Sequence, residues 1–130
     1  MYDLKIGVIE SLESILANGT KRLDKIGVKQ IQLNCWNADI CTPENAKKVK
    51  ELLGDRVTIS GVWGGWNVGP TEWNFTMGPY TIGIVPEEWR EARIACLKKE
   101  ADFCKMLGVD NMTTHVGFMP EIPNSKEYNS

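Results

Sequence analysis

The sequence predicts an α/β fold of four parallel strands joined by three helical crossovers, the content of half a (β/α)8 barrel. Two observations lead there. A helix ending in glycine and running straight into a strand-like segment recurs at Gly27, Gly54 and Gly108. Aromatic and polar residues then gather after the strands, whereas the loops after the helices are short and carry only Gly, Lys, Asp and Asn.

The recurring unit reads Lys25-Ile26-Gly27-Val28-Lys29-Gln30-Ile31-Gln32-Leu33, then Leu53-Gly54-Asp55-Arg56-Val57-Thr58-Ile59-Ser60, then Met106-Leu107-Gly108-Val109-Asp110-Asn111-Met112-Thr113-Thr114. Glycine suits the position just past a helix because it enters the left-handed region without a Cβ clash. The interval from Gly27 to Gly54 fits one strand, one helix and two short connections. Strand and helix patterns alternating in this way argue for a parallel sheet.

The expected strands are 5–9, 29–34, 57–63 and 111–116. The first helical stretch, Ser11–Ile26, is interrupted by Asn18-Gly19 and reads as two short pieces. The helix over 43–53 has Thr42 to cap it, Pro43 at its first position and Glu44 in its first turn. Its apolar stripe is Ala46, Val49 and Leu53. The helix from Pro86 to Leu107 shows Ile94, Leu97, Ala101 and Cys104 at spacings of three and four, which predicts its buried face. Residues 67–85 are long for such a connection and carry Trp73, Phe75 and Tyr80. That composition suits a lid over the strand ends, or a surface packed on a neighbouring subunit.

Bulk properties narrow the function classes. The chain has 130 residues, a formal net charge of −2 and a hydrophobic content of 42%, which fits one globular unit over 1–130. The acidic balance argues against a nucleic-acid partner. No apolar run approaches the roughly 18 residues of a membrane span, and Met1–Lys5 does not resemble an export signal. A cytoplasmic location is therefore expected. Cys35, Cys41, Cys96 and Cys104 form no C-x-x-C pair, so buried free thiols are expected rather than a zinc site.

Ligands of parallel α/β folds bind at the carboxyl ends of the strands. Those places hold Glu10; Asn34-Cys35-Trp36; Trp63-Gly64-Gly65-Trp66; and His115 through Glu121. Flat aromatic faces at several strand ends suit the apolar face of a sugar ring, and the only histidine, His115, lies at a strand end. Singly, each has a plainer reading: tryptophans as core aromatics, His115 as a structural hydrogen-bonder, Glu10 and Glu121 as solvated carboxylates or helix caps. Gly64-Gly65 allows close backbone approach, as to a phosphate.

The segment Thr114-His115-Val116-Gly117-Phe118-Met119-Pro120-Glu121, following Ala101–Val109, resembles strand four of the xylose isomerase-like TIM barrels. Ile26-Gly27-Val28 leading to Ile31-Gln32-Leu33 is similar to their second unit. The resemblance covers the whole chain but only the N-terminal half of that barrel. It implies a sugar or sugar-phosphate isomerase or epimerase, moving a proton next to a carbonyl. The implied site residues are His115 as a catalytic group, with Glu10, Asn34, Trp36, Trp63, Trp66 and Glu121 against the substrate. A divalent metal (Mn, Mg, Co or Zn) is implied for the full barrel, its ligands and the proton-transferring glutamates lying on strands five to eight, so this chain is expected neither to ligate it fully nor to act alone. Since a lone half barrel leaves an open face and two sheet edges, the chain is expected to be a fragment, to pair as a homodimer, or to meet a separate C-terminal half. A non-catalytic half-barrel binding or assembly module is the alternative.

Overall fold

The computed structural model describes residues 5–119. Glu121, one of the expected site residues, lies outside them. The elements run β1 (Val8–Ser11), α1 (Leu12–Asn18), α2 (Lys21–Ile26), β2 (Gln30–Cys35), a 3-10 turn (Ala38–Ile40), α3 (Pro43–Leu53), β3 (Thr58–Gly64), α4 (Gly78–Thr81), α5 (Glu87–Leu107) and β4 (Met112–Thr113). The four strands form one sheet in the order β1-β2-β3-β4, every neighbouring pair parallel. This is the α/β arrangement expected from the alternating pattern.

The local signals explain most boundaries. Ser11 and Thr42 each accept a hydrogen bond from the amide three residues on, Ser14 at 3.1 Å and Asn45 at 3.2 Å, capping α1 and α3. Gly27 and Gly108 end α2 and α5 in the left-handed conformation, with φ of 72° and 76°. The break at Asn18-Gly19 separates α1 from α2 as the sequence indicates. β4 is the main departure, with two residues in place of six, and β1 is displaced towards Ser11.

One face of the sheet packs on the helices. Ile31, Leu33 and Cys35 from β2 and Val62 from β3 join Leu12, Ile15, Leu23, Val49, Leu53, Phe103 and Leu107 in a single apolar core. The buried face of α5 is rotated from the expected one. It runs through Arg93, Cys96, Glu100, Phe103, Cys104 and Leu107. The expected Cys104 is buried, while Arg93, Cys96 and Glu100 stand one residue before Ile94, Leu97 and Ala101. One residue of offset turns a helix by about 100°, so Ile94 and Leu97 are half-buried and Ala101 exposed.

β3 contains a bulge. Its pairing with β2 shifts between Ile31 and Gln32, where Ile59 and Gly61 face consecutive partners and Ser60 is the extra residue. Ser60 donates its hydroxyl to the Ile31 carbonyl at 3.0 Å, and Asn111 donates to the Ser60 carbonyl at 2.9 Å. After the bulge Val62 faces the core and Trp63 the opposite side, level with Asn34 and Thr113.

Candidate functional site at the strand ends

The face of the sheet turned away from the helices carries Ile9, Gln32, Asn34, Trp63 and Thr113, because their neighbours Leu33, Cys35 and Val62 occupy the core. Gln32 donates to the Thr113 hydroxyl at 3.2 Å across this face. Ile9, Gln32, Trp63, Thr113, Thr114 and His115 line an open cleft of about 250 Å³. That is just under the roughly 300 Å³ at which small-molecule pockets begin, a size that fits one wall of a site. A larger cleft of about 390 Å³ sits at the opposite ends of the strands, between Leu53, Thr58 and Val109. The loops there follow helices, on the face that serves stability in barrels.

Above the cleft the aromatic residues form one connected cluster. Trp36 lies with ring centroids 5.7 Å from Trp63, 5.2 Å from Trp66 and 5.5 Å from Trp73. His115 is 5.8 Å from Trp63 and 4.7 Å from Trp73. Edge-to-face pairs of this kind favour fixed ring orientations. Trp73 comes from the long connection after β3, which places that segment over the strand ends. The aromatic content of residues 67–85 marks Trp73 as part of a lid, while its contact with His115 has no local signal.

The expected site residues separate into three groups. Trp63 and His115 line the cleft, with Trp36 against Trp63 and Asn34 beside Trp63 in register. Asn34 Oδ1 and Thr114 Oγ1 are buried there without a hydrogen-bond partner among the described residues, so each is a free acceptor. Trp66 supports the cluster from behind: it is 3% exposed, and its indole N–H donates to the Thr71 hydroxyl at 2.9 Å. Glu10 faces the helices, where it is buried and paired with Arg22 at 3.2 Å.

The space beside Gly64 and Gly65 is filled by side chains. A Cβ on Gly64 would meet Glu100 Oε2 at 2.5 Å, and one on Gly65 would collide with the Trp36 ring. The two glycines make room for side chains.

Two buried charges in α5 have no counterpart in the expected site. Arg93, fully buried, donates to the carbonyls of Val68 (3.1 Å), Pro70, Thr81 and Gly83 (each 2.7 Å). It thereby anchors both arms of the 66–85 segment. Glu100 is fully buried with neither oxygen partnered by a side chain. Burial above all, and then Cys41, push its carboxyl up to about 9, with the Gly65 amide acting the other way. It is held as the neutral acid.

The divalent metal implied by the resemblance does not fit the residues described. Among them no three His, Cys, Asp or Glu side chains converge as ligands: Glu10 lies on the helix side of the sheet, Glu100 reaches from α5 towards Gly64, and His115 faces the cleft. No described helix is long and apolar enough to cross a membrane.

No family model and no curated protein matches the chain. A solved structure does: the xylose isomerase domain protein from Planctomyces limnophilus, with a TM-score of 0.74 and 25% identity. The match covers 95% of this chain and 45% of that one. The chain thus has the fold of part of a xylose isomerase-like barrel and spans less than half the length of that protein.

Proposed function

We propose that this chain supplies the β1–β4 wall of a sugar isomerase- or epimerase-type active site. The observation that carries the reading is the convergence of Trp36, Trp63, Trp73 and His115 over a cleft at the carboxyl ends of the strands. In this reading the exposed indole faces pack on the apolar face of a sugar and exclude water. Gln32, Asn34 and Thr113 hydrogen-bond its hydroxyls, and His115 donates to the carbonyl oxygen. The proton transfer itself belongs to residues beyond this half, whether later in a longer chain or on a partner. Free or phosphorylated sugars are both candidate ligands, and Glu121 remains a proposed contact.

The test is a titration of the chain with aldoses, ketoses and their phosphates, followed by tryptophan fluorescence and ligand-observed NMR. Saturable binding that weakens at least tenfold in Trp63→Ala and His115→Ala is expected. Binding indifferent to both changes, or no saturable binding to any sugar at millimolar concentration, defeats the reading.

A second reading is a non-catalytic half-barrel module that pairs with another copy. The half-exposed Ile9 on the open face and the outer edges of β1 and β4 favour it. Light scattering distinguishes the two, because only the module requires a dimer without bound sugar.

A further inference from the structure

Arg93 grips both arms of the connection after β3 and leaves the tip of that connection free of its hold. The innermost carbonyls it binds are Pro70 on one arm and Thr81 on the other, each at 2.7 Å. Hydrogen bonds from a charged donor are the strong kind, and this donor is fully buried. Residues 72–80 lie between those two points, and Trp73, Asn74, Phe75, Thr76, Met77 and Tyr80 are all exposed.

The tip is tied to itself. Its neck closes where the Glu72 amide donates to the Thr81 hydroxyl at 3.1 Å and that hydroxyl donates to the Met77 carbonyl at 2.9 Å. Asn74 organises the turn. Its Oδ1 accepts from the Thr76 and Met77 amides at 3.0 and 2.7 Å, and its carbonyl accepts from the Gly78 amide at 2.9 Å. Among the described residues, the hydrogen bonds of 72–80 all end within 72–82.

Aromatic contact seats the tip on the rest of the chain. Trp73 meets Trp36 and His115, and Phe75 meets Phe118 edge-on with 6.2 Å between centroids. Phe118 also rests on Gly78, where a Cβ would come within 2.8 Å of its ring. Phe75 is 93% exposed, so its pair with Phe118 is made at the surface and is weak beside the buried bonds of Arg93.

A unit bonded within itself, gripped at its neck and lightly seated can swing as one piece. We propose that residues 72–80 are a hinged lid over the strand-end cleft, pivoting where Arg93 holds the Pro70 and Thr81 carbonyls. Seated, the lid lays Trp73 on Trp36 and His115. Lifted, it bares both rings to an entering ligand. The hydrogen bonds of the tip travel with it, so the swing gives up chiefly the aromatic seat. Lids move on the microsecond to millisecond scale. The ligand covered by this lid rests on the sugar site proposed above; the hinge itself does not.

The test is fluorine NMR of the chain made with 5-fluorotryptophan, its five signals assigned by single tryptophan-to-phenylalanine variants. Relaxation dispersion is expected at Trp73 in the free chain and not at Trp89, which packs beside Gly69 in the held arm. Phe75→Ala removes one aromatic pair at an exposed position and is expected to raise the lifted fraction roughly three- to tenfold. A saturating sugar is expected to quench the exchange at Trp73. No exchange at Trp73, equal exchange at Trp89, or a Phe75→Ala chain that behaves as the parent overturns the lid. Sugar bound with the Trp73 exchange unchanged overturns it too. Exchange at Trp73 in a chain that binds no sugar upholds the lid and counts against the sugar reading.

Discussion

The Arg93 guanidinium lies 4.9 Å from the centre of the Trp66 ring while donating to four backbone carbonyls. A buried cation with no carboxylate is tolerable because carbonyl dipoles and an aromatic face replace its water. This joins α5 to the connection that carries Trp73.

Arg93→Met is expected to cost about 3 kcal/mol, because it leaves buried carbonyls without donors. Thermal unfolding measures the loss. Amide exchange is expected to quicken first over residues 66–85. Uniform quickening across α3 and β2 would show that Arg93 does not act through that segment.

Glu100 makes stability fall as pH rises. Its carboxyl is raised from 4.5 to about 9 in the folded chain, chiefly by burial, so between those values the unfolded chain has released a proton that the folded chain keeps. The linkage therefore disfavours folding across that window and levels off above it. Glu100→Gln, neutral at every pH, is expected to flatten the melting temperature between about pH 5 and 9. A variant whose melting temperature drops as steeply as the parent's would remove Glu100 from this role.

Gly65→Ala tests the seat of Trp36. A methyl there enters the Trp36 ring, and such overpacking costs about 1–3 kcal/mol. The variant is expected to shift the tryptophan emission and weaken sugar binding. An unchanged emission spectrum with full binding would show that the ring does not rest on Gly65.

Trp73→Ala separates binding from stability. Trp73 is 55% exposed but paired edge-to-face with Trp36 and His115, so its loss is expected to cost no more than about 1.5 kcal/mol of stability. Sugar affinity is expected to drop several-fold, because the ring beside His115 is gone. Calorimetric titration and melting curves on the same sample check both halves.

How much of this was legible in the sequence follows from the range of the interactions. Caps act within one turn, so Thr42, Pro43 and Gly54 bound α3, and Gly108 the end of α5, as read from the residues alone. The face of α5 was misplaced because Arg93 and Glu100 occupy core positions, where hydrophobic periodicity steps to the neighbouring apolar residues. For Glu10, alternation from the cleft-facing Ile9 was an available signal that strand-end position obscured. Trp36, Trp63 and His115 were readable as strand-end residues, and their mutual contact was not.

The extra residue in β3 fixes which chemistry each face of the sheet sees. Side chains alternate strictly along a strand, so a one-residue change reverses everything beyond it. Removing Ser60 altogether would keep Val62 opposite Leu33 and Trp63 opposite Asn34. Pairing Ser60 in regular register, with no bulge, would instead send Trp63 into the space now filled by Val62 and leave a valine at the cleft. With the same composition and length, the cleft-facing surface would be turned inside out.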